Sequence, residues 1–475
     1  VKSILILCVA FVVIAAIVLA ALRLARLTRL WPAALLIVTA PLEVYRSSSG
    51  AGLNVSIFRL ALVVSVAALA LDMLRGRKSL THAVPLPFLI YGALVLWQLI
   101  SLVFVTANDS LAYRFLGQYA GGLVAALVIT CYVERRDLRV VAALCGGATI
   151  LPLAAAAFRV FSVSSGGTGD LPGLTELPVN LTIEAARQSG SSLLNGTQRL
   201  TGTFSDPNQF GFYVSTTFLV LAGTACSVLF VDRSISRKAA TSYALLAVAT
   251  AIAIVGTYSR SAWVLAVVGV GVFGVLLGRS FWTRRRVIGV GLVGVLALGL
   301  ASPFIASRLG SSEPGNVKST QVHEHTMQIA LKLVVHHPFV GVGLGGYGHY
   351  ADQPALISSS VSTFLTVAAE LGIPGLLLLV TAIVMTVVGG VRSLSGSSAT
   401  ERVVLAGFVA AFGALAAANT IGEVWMNDFQ WVLFGSLLAL TSQSQATLRP
   451  AWLLRRHSAA GDDAPKSTKQ APVAA

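Results

Sequence analysis

The sequence predicts an all-α fold: a polytopic transmembrane bundle of about 12–13 helical spans, with a long outer loop that carries an amphipathic helix. Three observations carry this expectation. Hydrophobic residues make up 55% of the 475-residue chain and charged residues only 11%, whereas a soluble domain carries roughly 25% charged residues. Mean hydropathy is +0.80. The apolar residues come in long unbroken runs, as a membrane helix of about 20 residues requires when every backbone amide must be satisfied inside its own segment. A transmembrane barrel would instead show short alternating strands. The 44 glycines suit close approach between helices.

In chain order the apolar runs fall at 4–22, 31–45, 55–74, 85–106, 111–133, 138–161, 208–231, 242–258, 262–281, 287–306, 361–391, 401–419 and 429–442. Those at 31–45 and 429–442 are short enough to be tilted or re-entrant. The first run resembles a signal peptide, but it is long and leads directly to Arg23, Arg26 and Arg29 rather than to a small-residue cleavage site. It is therefore expected to remain as a span.

Orientation follows from the basic clusters. If 23–29 is cytoplasmic, alternation places 75–78, 134–139, 233–238, 279–286, 392–402 and the tail from 443 on the same side. Those segments hold about two thirds of the 34 Lys and Arg residues, as the positive-inside rule demands. The net charge of +15 thus reports membrane topology, and no nucleic-acid partner is expected. The organisation that results is N-terminal spans (1–161), an outer loop (162–207), central spans (208–306), a large outer loop (307–360), C-terminal spans (361–442) and a disordered cytoplasmic tail (443–475). The cysteines Cys8, Cys131, Cys145 and Cys226 show no CxxC spacing, so neither a disulfide framework nor a zinc site is expected.

Four segments on the outer side are candidates for chemistry. Residues Arg199 to Gly211 (RLTGTFSDPNQFG) end the first outer loop and enter a span. Asp206, Pro207 and Asn208 read as a capped helix start. Locally this is either a capped helix with an interfacial arginine or an anion site in which Arg199 and the helix N-terminus face one ligand. Residues Tyr258 to Trp263 (YSRSAW) form a very short turn between spans, where Arg260 either reaches headgroups or joins Arg199 in a clamp for a diphosphate, a group that guanidinium grips bidentately.

The third segment runs from His336 to His349 (HHPFVGVGLGGYGH). Gly341, Gly343 and Gly346 formally match the GxGxxG dinucleotide pattern, but no strand precedes them and no βαβ unit surrounds them. A compact glycine-rich turn is the better reading. The outer loop holds five of the seven histidines. His323, Glu324 and His325 do not place two ligands on one helix face, so no metal is expected. An amphipathic helix is expected from Val322 to Val335, suited to lie along the membrane surface. The fourth segment runs from Ser362 to Gly375. Here Glu370 lies about three turns into an apolar stretch beside a Gly-Ile-Pro-Gly break, either as a functional carboxylate or as one solvated by the break.

In this order the segments resemble the O-antigen ligase and polymerase family of bacterial envelope glycan assembly. The resemblance rests on R-x-x-G-x-F-x-x-P-N at Arg199–Asn208, Ser259-Arg260 at a span start, HPFVGVGLGGYG from His337, and ELGIPG from Glu370, and it covers roughly residues 195–380. It implies a multi-pass protein of the bacterial inner membrane whose active side faces outward. Such an enzyme moves a glycan from an undecaprenyl-diphosphate carrier to a lipid-A core sugar or to another carrier-linked repeat. It uses neither metal nor cofactor, and its partners are the lipid-linked donor, a glycan acceptor and membrane lipid.

The resemblance also sets the expected site. Arg199 and Arg260 would hold the donor diphosphate, with Asn208 and His337 as further substrate-binding residues. The ligases carry a histidine before the position of Ser362, in a frame that ends at G-x-x-G. Here Ser362, Gly372 and Gly375 keep that frame but the preceding residue is Val361, which takes no proton. His349 is then the first expectation for the base and Glu370 the second. Two other classes fit the span pattern: a transporter of an anionic solute or lipid-linked glycan, and a relative without catalytic activity. Transport needs polar groups near the bilayer midplane, and here nearly all charges lie at span ends, with Arg59, Arg114 and Glu370 as exceptions.

Overall fold

The computed structural model describes residues 2–24, 27–42, 46–48, 54–78, 84–105, 109–164, 193–194, 197–204, 206–232, 237–278, 281, 314–350, 362–422 and 427–441. The predicted span at 287–306, the position of Val361, most of the loop 162–207 and the tail from 443 lie outside them. Thirteen α-helices are described: α1 (Lys2–Leu24), α2 (Trp31–Thr39), α3 (Ile57–Leu74), α4 (Leu86–Phe104), α5 (Asp109–Tyr132), α6 (Leu138–Ser164), α7 (Pro207–Phe230), α8 (Arg237–Gly256), α9 (Arg260–Leu277), α10 (Pro314–His336), α11 (Thr363–Ser395), α12 (Ala399–Ala418) and α13 (Asp428–Thr441). Two short antiparallel strand pairs, Arg46–Ser48 with Asn54–Ser56 and Leu193–Leu194 with Thr197–Gln198, and short 3-10 turns at Thr28–Leu30, Arg135–Asp137 and Tyr347–Tyr350 are also described. The fold is an all-α membrane bundle. Among the described residues nine helices are long and apolar enough to cross a membrane, namely α3 to α9, α11 and α12, and shorter apolar helices occur at Phe11–Arg23, Thr28–Thr39 and Asp428–Thr441.

Burial separates the core of the bundle from its rim. The apolar windows of α7 and α12 are each 78% buried, against 28% for those of α3, α4, α8 and α9. The first two therefore form the centre, and the others present one face outward. The two central helices meet through glycines. A Cβ at Gly407 would fall 2.7 Å from the Leu219 carbonyl oxygen, and one at Gly223 would fall 3.1 Å from the Gly407 Cα. Small residues here let two backbones touch, the means by which membrane helices gain dispersion contacts when lipid offers no hydrophobic drive between them. On α13, Trp431 packs edge-on to Tyr91 of α4 and Tyr119 of α5 and lies directly against Gly122, tying the short helix to the N-terminal half.

The basic segments come together at one end of the bundle. Arg29 pairs with Glu134 and Asp137, Arg139 with Asp232, Lys78 donates to the Cys131 carbonyl, and Arg135 donates to Ser393 and Ser397. These contacts join four of the segments that alternation assigns to a single side.

One element ends before its apolar run does, and another carries the break that its Gly-Ile-Pro-Gly sequence led us to expect. Among the described residues of the run at 31–45, the helix covers Trp31–Thr39 and stops before Ala40, Pro41 and Leu42. The long C-terminal span α11 extends to Ser395 but is broken inside: Gly372 has φ 71°, ψ −176°, an extended left-handed conformation open essentially to glycine alone.

Candidate functional site

The end of the bundle opposite the basic network is built from helix ends. α7 starts at Pro207, whose missing N–H costs nothing in a first turn. Asp206 caps it, its side chain accepting the N–H groups of Asn208 and Gln209 at 2.6 and 3.2 Å. α9 starts at Arg260 and is capped by Ser259, which accepts the Ala262 N–H at 3.3 Å. Gly211 lets α7 close on this turn, since a Cβ there would fall 2.6 Å from the Ala262 Cβ. The turn itself is strained, because Tyr258 is held at φ 50°, unusual for a bulky residue.

Arg199 locks into this junction. Its Nε donates to the Thr257 carbonyl at 2.9 Å and one Nη to the Asn208 side-chain oxygen at 3.1 Å, while the Leu200 N–H donates to the Gly256 carbonyl at 3.0 Å. Two carbonyls that end α8 thereby gain donors, and a cation sits at the negative end of that helix. Arg199 is buried, at 8% exposure. Arg260, three residues beyond Thr257, is exposed and makes no ion pair among the described residues. One guanidinium is thus fixed within the protein and a second stands open at the start of α9. The following segment is pinned too: Thr203 donates to the Pro41 carbonyl, and Phe204 packs with Phe210, Tyr213 and Phe429.

The second half of the site is the break in α11. Pro374 has no N–H and cannot serve the Glu370 carbonyl four residues back. Gly372 turns the chain so that the Ile373 N–H leaves the helix and donates to the Pro338 carbonyl at 2.7 Å. Three carbonyls are left open, and other segments supply the donors. The Val342 N–H donates to Ala369 at 2.9 Å and the Gly343 N–H to Glu370 at 3.0 Å. Trp97 Nε1 of α4 donates to Leu371 at 2.8 Å. The glycine-rich turn is thus the complement of the helix break. Gly341, at φ 67°, lies so close that a Cβ would fall 2.3 Å from the Glu370 carbonyl.

The Glu370 carboxylate is buried, at 3% exposure, and accepts the Tyr347 N–H at 3.3 Å. The Tyr347 phenol donates to the Thr326 carbonyl of α10 at 2.8 Å. Burial, and then the neighbouring Glu370, push that phenol up to about 12, so it keeps its proton and its bond across the neutral range. A small cavity lined by Gln98, Tyr119, Thr363, Thr366 and Glu370 adjoins the break. Ser362 caps α11 and donates to the Asn419 carbonyl, and Thr363 donates to the Gly422 carbonyl. Gly422 in turn packs against Phe212 of α7, which links the broken helix to the arginine junction.

The structure therefore joins Arg199, Asn208 and the turn bearing Arg260 in one assembly, and Glu370 with the glycine-rich turn in another. His337 and His349 are both exposed. The His337 carbonyl accepts the Gly341 N–H, and the His349 N–H donates to the Gly346 carbonyl. Among the described residues no group of three or more His, Cys, Asp or Glu side chains is placed to hold a metal. Four contributors escaped the sequence reading. Trp97, Gln98 and Ser101 lie on one face of α4, and Ser101 accepts the Leu344 N–H at 3.1 Å. Arg159, near the end of α6, donates to Thr201. Polar residues at three-residue spacing in an otherwise apolar span were the available signal for Gln98 and Ser101.

Residues 245–380 match the family model described as O-antigen ligase, a stretch that includes Arg260, the glycine-rich turn and the break in α11. That match supports assigning the chain to the O-antigen ligase family. The family implies a membrane glycan transferase of the ligase or polymerase type, and with the nine apolar helices it points to a multi-pass bacterial membrane protein. No curated protein matches the chain.

Proposed function

We propose that this protein transfers an oligo- or polysaccharide from an undecaprenyl-diphosphate carrier to an acceptor glycan on the outer face of the cytoplasmic membrane, without a metal and with inversion at the anomeric carbon. The observation that carries the reading is the pairing of a fixed arginine, Arg199, with an open one, Arg260, where the N-termini of α7 and α9 meet. The donor's diphosphate lies between the two guanidinium groups, which stabilise the negative charge that develops as the glycosidic C–O bond breaks. Asn208, already bonded to Arg199, and His337 complete the polar surround. Lipid-linked glycan, acceptor glycan and bilayer are the partners.

His349 serves as the base. It takes the proton of the acceptor hydroxyl as the oxygen attacks opposite the departing diphosphate. Glu370, buried and engaged with the Tyr347 amide, holds the turn that presents His349. The test uses purified protein in nanodiscs with an undecaprenyl-diphosphate-linked oligosaccharide and a panel of acceptors, reading release of undecaprenyl diphosphate. Acceptor-dependent release that is lost in Arg260→Lys supports the reading, and the productive acceptor separates ligase from polymerase. Absence of release with every acceptor, from protein that still binds donor, overturns it.

A further inference from the structure

The outward side of α10 changes character along its length. Its inner face, including Thr326, Ala330 and Leu333, is buried against Val342, Tyr347 and Ala369. Outside, Glu324, His325 and Gln328 are exposed in the earlier turns. In the later turns the exposed residues become Leu331 and Val335, and Phe339 follows one turn beyond the helix. Val335 and Phe339 are 75% and 76% exposed, and Lys332 and His336 flank them. Large apolar side chains repeated every four residues beside a lysine and a polar ring are the pattern of a helix lying in a membrane interface.

A second observation identifies what covers them. Phe339 lies against the break in α11: a Cβ at Gly372 would fall 2.5 Å from the Phe339 carbonyl, and the next residue, Ile373, bonds to Pro338. From that point α11 exposes Ile373, Leu377, Val380 and Val384, a stripe at helical spacing on a membrane-length apolar helix. In a spanning helix such a stripe faces lipid. Phe339 and Val335 prolong it past the break in α11.

We propose that the C-terminal half of α10 and Phe339 are seated in the lipid interface of the same bilayer. Leu331, Val335 and Phe339 reach the acyl boundary, Lys332 and His336 meet headgroup phosphates, and the Glu324–Gln328 half stays in water. The membrane then holds the glycine-rich turn against the α11 break from one side while Trp97 and Ser101 hold its surroundings from the other. This inference stands apart from the transferase reading, since it concerns where the helix lies and not what the site does.

The test is site-directed spin labelling of the full chain with its own cysteines replaced, carrying Gln328→Cys, Val335→Cys or Phe339→Cys singly. The medium is nanodiscs of phosphatidylethanolamine and phosphatidylglycerol. Labels at 335 and 339 are expected to collide with oxygen and to be shielded from a water-soluble nickel chelate, with the reverse at 328. Equal nickel access at all three positions overturns the proposal. So does spin–spin coupling between two chains at 339, which would show a second copy on the stripe. Should the cysteine-free chain fail to fold, benzoylphenylalanine at 339 in the otherwise natural chain answers the same question. Cross-links to lipid support the proposal; cross-links to protein, or none, overturn it.

Discussion

Arg199 and Arg260 are chemically identical, yet their surroundings give them different tasks. Arg199 is buried and donates to Thr257 and Asn208, so removing it leaves polar groups without donors, at a cost of about 1–3 kcal/mol. Arg260 is exposed and makes no ion pair among the described residues. Arg199→Ala is therefore expected to lower both the melting temperature and transfer. Arg260→Ala should abolish transfer while the melting curve stays where it was, read by thermal unfolding in detergent beside the donor-release assay. The two acid–base candidates separate in the same way. Glu370→Gln keeps an oxygen for the Tyr347 N–H and is expected to retain transfer within a few-fold. His349→Gln removes the proton acceptor and should reduce the rate by about 10²–10⁴, the usual contribution of a general base. If Glu370→Gln shows the large loss and His349→Gln the small one, the roles exchange.

At the scale of elements, the break in α11 decides whether the glycine-rich turn has anything to bind. A side chain at Gly372 meets both an unfavourable backbone conformation, worth about 1–3 kcal/mol, and the Phe339 backbone at 2.5 Å. Gly372→Ala is thus expected to destabilise the turn. Limited proteolysis between α10 and α11 should quicken relative to the unaltered chain, and unchanged cleavage would show that the turn holds without the break. Much of this element was legible beforehand. Pro374 and the two glycines around it announced an interruption, and Asp206-Pro207-Asn208 announced the start of α7, because backbone sterics and capping act within a few residues. The partner of the break was not legible. That the Val342 and Gly343 amides and the Trp97 ring would take the carbonyls of Ala369, Glu370 and Leu371 is a matter of tertiary approach, and local pattern carries no record of it. The same holds for Arg199. Its sequence neighbourhood left an interfacial residue and an anion site equally open, and only the ends of α8 and α9 brought beside it show the junction it locks. The run at 31–45 shows the opposite case, where apolar composition continued past the point at which the helix stops.

The bundle as a whole is organised around α7 and α12, the most buried of the nine membrane-length helices among the described residues. Both halves of the site depend on that pair. Asp206 and Asn208 stand at the head of α7, and the end of α12 supplies the Asn419 carbonyl, just ahead of Gly422, for the α11 cap. Their spacing is set where Gly223 meets Gly407, with backbone in direct contact. A branched side chain at that point cannot be absorbed by rotamer change, since the nearest atoms are backbone: the Leu219 and Val403 carbonyls and the Gly407 and Gly223 Cα atoms. Forcing the helices apart also forfeits dispersion contacts along both, and overpacking of this kind costs about 1–3 kcal/mol or more. Gly413 lies on the same helix, but a Cβ there would have no neighbour within 4 Å. Alanine at that position therefore meets nothing and removes glycine's excess freedom in the unfolded chain, worth about 0.4–1 kcal/mol. Gly407→Val is expected to lower the melting temperature and to impair transfer by misplacing Arg199 relative to α11. Gly413→Ala should leave activity intact and raise the melting temperature slightly. Parallel unfolding curves of the two variants in nanodiscs decide the matter. Equal behaviour would mean that the α7–α12 contact does not set the geometry of the site.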